Sequence, residues 1–306
     1  MHPSSATQRW IAPEDVTNAP VAGLTTTIHK FDISSPLRSR YRASGSVAGY
    51  VENQFSMSEW RGVLRVATTE MPAWLGDGRS ESESFVTTLE QRGATLARLG
   101  RVGGLGRGER TYGVRFFGDV GYVVTFRQVD PLYTIDLSRP SSPTVRGELK
   151  IRGYSAYLHP LGGDLLLGVG QDATEEGRVL GTQVSVFDVS DLRHPKLLTR
   201  QRLDKSWSEV EWDHHAFLYW AKASLAVLPV QASVEAPGGD RPFSGAVVAH
   251  ISRSAIDVVG TVSHGGDQAV RRSIVVGPTL YTLSESGLKG SNLTTLAPRS
   301  WVPFAG

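Results

Sequence analysis

Apolar and polar positions alternate along this chain in short runs broken by glycine, proline and serine, with the period of two that belongs to strands. GVRFFGD (Gly113 to Asp119), GYVVTF (Gly121 to Phe126), PLYTIDL (Pro131 to Leu137) and TVRGELKI (Thr144 to Ile151) each read as one strand. The next stretch repeats the order as SAYLHP, DLLLGVG, TQVSVFDV and KLLTRQRL. Four antiparallel strands, named A to D outward from a central axis, are the unit of a β-propeller blade. A phrase marks the end of the third strand: HKFDISS around Asp32, YTIDLSR around Asp136 and SVFDVSD around Asp188. Asp136 and Asp188 are 52 residues apart, and Asp32 lies 104 before Asp136, twice that interval. Self-similarity at a period of roughly 50 residues is the mark of a repeat architecture.

The doubled interval demands a degenerate copy in between, and QFSMSEW, VLRVATT, FVTTLE and TLARLGRV supply it. A further unit follows as EVEWDHHAFLYW, ASLAVLPVQ, GAVVAHIS and IDVVGTV, with an insertion at Gln231 to Gly245 before its third strand. The chain opens with only a C and D pair, TTIHKFDI and YRASGSV, and closes with an A and B pair, RRSIVVG and PTLYTLSE, plus a weak third segment near Leu288 to Leu296. The expected fold is all-β: a propeller of about five blades, either four full blades and one split between the termini, or an incomplete part of a larger ring. Residues 1–24 read as an N-terminal loop segment, 25–298 as the propeller domain and 299–306 as a C-terminal tail.

The recurring Asp and Ser suit a turn, where their side chains bond to backbone amides and the prolines at Pro36, Pro140, Pro143 and Pro195 stop the strand. Asp32, Asp136 and Asp188 are accordingly read as turn formers, not catalysts. Composition agrees with a folded body: 33 glycines and 16 prolines are spread as turn punctuation, and 40% of residues are hydrophobic. A formal charge of +2 with no basic run argues against a nucleic-acid partner. The absence of cysteine removes disulfides, thiolate metal sites and cysteine nucleophiles. MHPSSATQRWIAPEDVTNAP lacks the apolar core of a signal peptide, which on its face leaves the chain unaddressed and cytoplasmic if the start is genuine. No stretch reaches the roughly 18 apolar residues of a transmembrane span.

A-to-B turns look tight, whereas the B-to-C connections at Met71 to Ser84, Gln171 to Gly181 and Gln231 to Gly245 look long and irregular. Insertions confined to one face of a repeat array mark the binding face, so the B-to-C and D-to-A side is expected to carry function. The innermost strands line the channel and carry Glu59, Arg115, His159, Asp213, His214, Arg271 and Arg272. Arg115, His159, Asp213, His214 and Arg271 are the channel candidates for holding a polar ligand. Arg127 and Asp130, packed into the short loop FRQVDP, either pair across blades or bind at the mouth. WDHHAF brings to mind a metal-binding Asp-His-His motif, but strand alternation would send His214 and His215 to opposite faces. No metal site is assigned on that ground, and no cofactor is called for. Gly103 to Gly108 lacks the spacing of a phosphate-binding loop. Ser56 and Ser58 have no triad spacing around them, and NLT at Asn292 is a glycosylation pattern only in a eukaryotic secretory route.

The run from Val114 to Gly170, together with TTIHKFDIS, NQFSMSEW, LRVATT and DHHAFLYW, resembles a family of secreted prokaryotic proteins with a C-terminal β-propeller domain distantly related to WD-type repeats. The resemblance covers most of residues 10 to 300. It implies an exported or envelope-anchored protein, and members are longer, with an export signal and further blades upstream. This chain is therefore similar to the C-terminal part of a member. The expected function is a noncatalytic binding or interaction scaffold at the cell envelope or outside it, presenting its long-loop face to a protein or glycan. The alternative is an enzyme or metal-dependent site in the central channel.

Overall fold

A computed structural model describes residues 23–70, 82–126, 129–174, 177–235, 239–266 and 268–304, with the backbone alone at 129–130. No α-helix occurs among them; short 3-10 turns are the only helical pieces. An N-terminal hairpin, β1 (Thr25–Ser35) and β2 (Arg38–Ala48), precedes five successive sheets. The first sheet contains β3 (Met57–Trp60), β4 (Val63–Glu70), β5 (Glu83–Arg92) and β6 (Thr95–Leu105). The second is β7 (Arg110–Phe117), β8 (Val120–Phe126), β9 (Val129–Asp136) and β10 (Thr144–Arg152), and the third is β11 (Tyr154–Gly162), β12 (Leu165–Ala173), β13 (Val179–Asp188) and β14 (Lys196–Asp204). The fourth has β15 (Ser206–Trp207) and β16 (Leu218–Trp220) side by side with β17 (Leu225–Val234), then β18 (Arg241–Ile251) and β19 (Ile256–Val262). The fifth is β20 (Arg272–Val276), β21 (Thr279–Ser284), β22 (Gly287–Asn292) and β23 (Pro298–Pro303). Blade pairing is antiparallel throughout, which is the β-propeller expected from the repeat.

The termini differ from the split-blade expectation. The C-terminal pair has partners of its own: β22 pairs with β21 from Thr279↔Asn292 to Ser284↔Gly287, and β23 completes the sheet. The N-terminal hairpin instead joins the outer edge of the first sheet, where β2 meets β6 in parallel at Ser44↔Thr95. With a full ladder already on β21, the hairpin has no vacancy there, and Ala43 and Val47 pack on Val66, Leu89 and Leu96. The strand Pro298–Pro303 also carries the last sheet into the segment expected to be a tail. Residues 1–22 of the expected N-terminal segment lie outside the described residues.

Middle strands of the second, third and fourth sheets are buried on both faces because each of these sheets lies between two others. Val123, Leu132, Ile135, Leu167, Val186, Phe187, Ala226 and Val248 are all fully buried. Between blades the repeated phrase has a second task. Thr88 Oγ1 reaches across to the Pro140 carbonyl at 2.6 Å while lying 3.2 Å from the Gly100 carbonyl. One blade on, Thr134 Oγ1 reaches the Leu192 carbonyl at 2.5 Å while lying 3.3 Å from the Gly147 carbonyl. Each acceptor belongs to the turn that follows the Asp phrase of the next blade. Glycine is required opposite it, since a Cβ at Gly100 would stand 2.6 Å from the Pro140 oxygen and one at Gly147 would stand 2.3 Å from the Leu192 oxygen. The Asp residues hold the turns as expected: Asp136 Oδ1 accepts from Ser138 N at 2.9 Å, and Asp188 Oδ1 from Ser190 N at 3.0 Å.

Two of the B-to-C connections expected to be irregular are extended hairpins. Pairing runs out to Ala173↔Val179 between β12 and β13, and to Val234↔Arg241 between β17 and β18. The third, Met71 to Ser84, lies for the most part outside the described residues.

Candidate functional site

The inner strand of the fourth blade is where the chain departs from its own repeat. EVEWDHHAFLYW was expected as one strand, but between β15 and β16 the chain makes two capped 3-10 turns, Glu209–Glu211 and His214–Ala216. Ser208 caps the first, with Glu211 Oε1 accepting from the Ser208 amide at 3.1 Å; Asp213 caps the second, accepting from His215 N at 3.0 Å. An S-x-x-E box is a legible helix-start signal, and it outweighs the weak alternation of this segment. The consequence for the histidines is direct. A strand would have separated them, whereas the turn sets their ring centroids 3.8 Å apart.

Of the expected channel residues, Asp213, Arg271 and Arg272 are joined in one ion-pair network with Glu209. Asp213 Oδ2 accepts from Arg272 Nη2 at 2.5 Å, Arg272 also reaches Glu209 at 3.4 Å, and Glu209 accepts from Arg271 at 2.9 Å. Asp213 Oδ1 additionally faces His215 Nδ1 at 3.0 Å. Burial is the largest single influence on the Asp213 carboxyl and pushes its pKa up, but the bonds from His215 and the Arg272 charge together hold it below the usual range. Across the channel, Arg115 lies 3.8 Å over the Phe55 ring and 5.2 Å from Tyr157, with Nε donating to the Leu158 carbonyl at 2.8 Å. Among the described residues no carboxylate lies within ion-pair distance of it. Phe55 stands edge-on to His214 at 4.7 Å, joining Arg115 to the turn.

His159 sits between Phe217 and Tyr219 at ring distances of 5.2 and 5.4 Å, with Nδ1 3.2 Å from the Tyr157 hydroxyl. Burial first, and the Arg115 charge second, push its pKa down to about 4, so the ring is neutral near pH 7. His214 is also shifted down, chiefly by burial and next by the His215 ring. Glu59, on the first blade, is taken up by Lys30 of the N-terminal hairpin at 2.8 Å and stays out of the cluster. Arg127 lies outside the described residues, and of Asp130 the structure gives only its place opposite Ile151 in the ladder.

Behind the same turn is a half-buried carboxyl that sequence reasoning did not single out. Glu211 accepts from Tyr154 Oη at 3.1 Å and from the Gln171 amide, and burial raises its pKa above the ordinary carboxylate range. On the B-to-C side of the fourth blade, the extended β17–β18 hairpin and β15 enclose a cleft of about 390 Å³ lined by Lys205, Trp207, Gln231, Ser233, Asp240, Phe243 and Ser244 among others. Trp207 meets Trp212 at 5.3 Å, and both indoles are exposed, at 42% and 63%. Neither indole N–H has a hydrogen-bond partner among the described residues. Lys205 bridges Glu235 and Asp240 at 3.0 and 3.1 Å along the rim. Ser244 Oγ is buried without a partner.

Fold and site together define a bladed β-propeller whose charged channel turn adjoins an aromatic cleft on one face. The chain belongs to the Beta propeller domain family, whose profile matches residues 10–296. It is 37% identical over 243 residues to an uncharacterised protein of Methanocaldococcus jannaschii, covering 79% of this chain and 35% of that one. It is 45% identical over 184 residues to an uncharacterised protein of Archaeoglobus fulgidus, covering 60% of this chain and 27% of that one. The chain thus spans about a third or less of the length of these archaeal relatives. Among solved structures, Sqt1 of Saccharomyces cerevisiae overlays on 90% of this chain and 79% of its own at a TM-score of 0.45 and 10% identity. The periplasmic gluconolactonase of Pseudomonas aeruginosa overlays on 86% of this chain and 91% of its own at 0.37 and 10%. No helix among the described residues is long and apolar enough to cross a membrane.

Proposed function

We propose that this chain is a noncatalytic binding scaffold that takes a glycan on its B-to-C face, at the cleft beside Trp207. The observation that carries the reading is the open Trp207 and Trp212 pair next to a cleft of about 390 Å³ with polar groups on its rim. A sugar ring has an apolar C–H face and an edge of hydroxyls. An indole offers the flat apolar surface for the first, and its N–H with the Lys205, Gln231, Ser233 and Asp240 side chains offers bonds for the second.

The channel supports catalysis less well. Asp213 is committed to Arg272 and His215, Glu209 to two arginines, and His159 is a neutral ring packed among aromatics. General acid–base work needs such groups aimed at a substrate, not at one another. Export to the envelope or the exterior goes with the glycan reading and rests on the family resemblance; cell fractionation tests it.

The binding test is an array of neutral and acidic oligosaccharides probed with the purified chain, followed by titration of any hit. Trp207→Ala and Trp212→Ala are expected to weaken the hit at least about tenfold, since truncating an aromatic anchor in a site commonly costs 2 kcal/mol or more, while the thermal midpoint holds. Failure to retain any glycan, or retention that Trp207→Ala leaves unchanged, overturns the proposal.

A further inference from the structure

We infer that Asp213, His214 and His215 form a binding site for one divalent transition-metal ion of the zinc class. One oxygen of Asp213 and one nitrogen from each imidazole lie within 4.8 Å of one another. Ligands around a zinc ion stand about 2.0–2.2 Å from it, so two of them are separated by about 3–4 Å, and a small rotation of the exposed His215 closes the remaining gap. The Asp213 Oδ1 to His215 Nδ1 distance of 3.0 Å already falls in that interval, and a metal seated there takes the place of the proton the two atoms share. Two imidazoles with one carboxylate and open positions suit zinc, nickel or iron, and do not suit magnesium or calcium, which take oxygen donors.

Most of the local positive charge is offset: Arg271 and Arg272 are matched by Glu209 and Asp213, and Arg115, beyond the Phe55 ring, adds one charge with no carboxylate beside it among the described residues. Asp213 keeps its bond from Arg272 when the metal displaces the proton shared with His215, because Oδ2 holds Arg272 alone and an ionised carboxylate oxygen has two acceptor positions. The scaffold is preformed: the Asp213 cap fixes the turn and Phe55 braces the His214 ring. The cost of gathering ligands is thereby met in folding. The site stands apart from the glycan reading, since the cleft lining includes none of the three residues.

The experiment uses the whole chain, stripped with a chelator and titrated with Zn²⁺, and in parallel with Mg²⁺, by isothermal calorimetry with metal analysis of the dialysed complex. One Zn²⁺ per chain and no Mg²⁺ uptake are expected. His215→Ala removes an imidazole whose side chain is 65% exposed and should leave the fold intact, while weakening Zn²⁺ binding at least about tenfold. Co²⁺ loaded in place of zinc should show a visible ligand-field band that His214→Ala and His215→Ala each abolish. Absence of saturable Zn²⁺ binding, or one-to-one binding that survives both substitutions, overturns the inference.

Discussion

Gly147→Ala tests whether the blades are stitched together by the repeated phrase. In an exposed strand this change would stabilise by about 0.4–1 kcal/mol, because alanine loses less backbone entropy on folding than glycine. Here the new Cβ would lie 2.3 Å from the Leu192 oxygen and 2.9 Å from the Arg193 oxygen, both main-chain atoms of the neighbouring blade's turn. Neither can rotate away, so the turn must retreat by about 1 Å, at the 1–3 kcal/mol typical of overpacking. The retreat stretches the 2.5 Å bond from the fully buried Thr134 hydroxyl to Leu192, adding about 0.5–1.5 kcal/mol. The net loss should be about 2 kcal/mol. Urea denaturation followed by tryptophan fluorescence measures it, and a cycle with Thr134→Val supplies the sharper check. Both substitutions open the same stitch, so the double variant should lose clearly less than the two singles combined. A Gly147→Ala protein as stable as the parent, or strictly additive effects, would refute the reasoning.

Three further outcomes follow from the degree of burial. The Glu211 pKa is raised by burial above its ordinary 4.5, so the folded chain holds that proton more tightly than the unfolded one. Its contribution is thus full below about pH 4.5 and is lost as pH rises through the folded value. The stability of the parent minus that of Glu211→Gln should therefore fall between pH 4 and 8 in denaturant titrations; a difference that climbs with pH contradicts the assignment. Leu167→Ala, at a fully buried position of the largest core cluster, should cost about 2–5 kcal/mol in the same assay. Leu37→Ala, 97% exposed, should stay within about 0.5 kcal/mol of the parent.

Blade order was legible because the middle strands must hide both faces, and that demand writes apolar runs at a fixed spacing. Val123, Leu132 and Phe187 are buried for the same reason their segments could be recognised. The partners of the terminal strands were not legible. Alternation in TTIHKFDI says that a strand forms and says nothing about which sheet edge receives it, so the hairpin's place beside β6 had to come from the structure. The last strand, PRSWVP, is exposed along its length and bounded by prolines, so it carries little apolar signal. The joining of Asp213 to Arg272, and the approach of Arg115 to the His214 turn through Phe55, could be expected once the inner strands were assigned, since inner strands of a propeller face its axis. What misled was the assumption that the fourth inner strand stays a strand. Ser208 and Glu211, three apart ahead of Asp213, were the local sign that it does not.

That departure bears on function beyond the correction. An inner strand that leaves its ladder between Trp207 and Leu218 gives up main-chain bonds to β17 that an uninterrupted strand would make. The chain recovers part of this through the two caps and through the ion pairs of Glu209 and Asp213 with Arg271 and Arg272. Recovery by a half-exposed charged network is a poor substitute for a ladder, because solvent screens such pairs to about 0–1 kcal/mol each. The detour is thus costly as architecture. It places Trp212, Asp213, His214 and His215 in one short segment, with Trp212 against Trp207 at the cleft and the other three turned toward one another. A repeat that breaks its own rule at a cost to stability, and by the break gathers an aromatic pair and three side chains of metal-ligating type, is the place where both proposals of binding are most sharply tested.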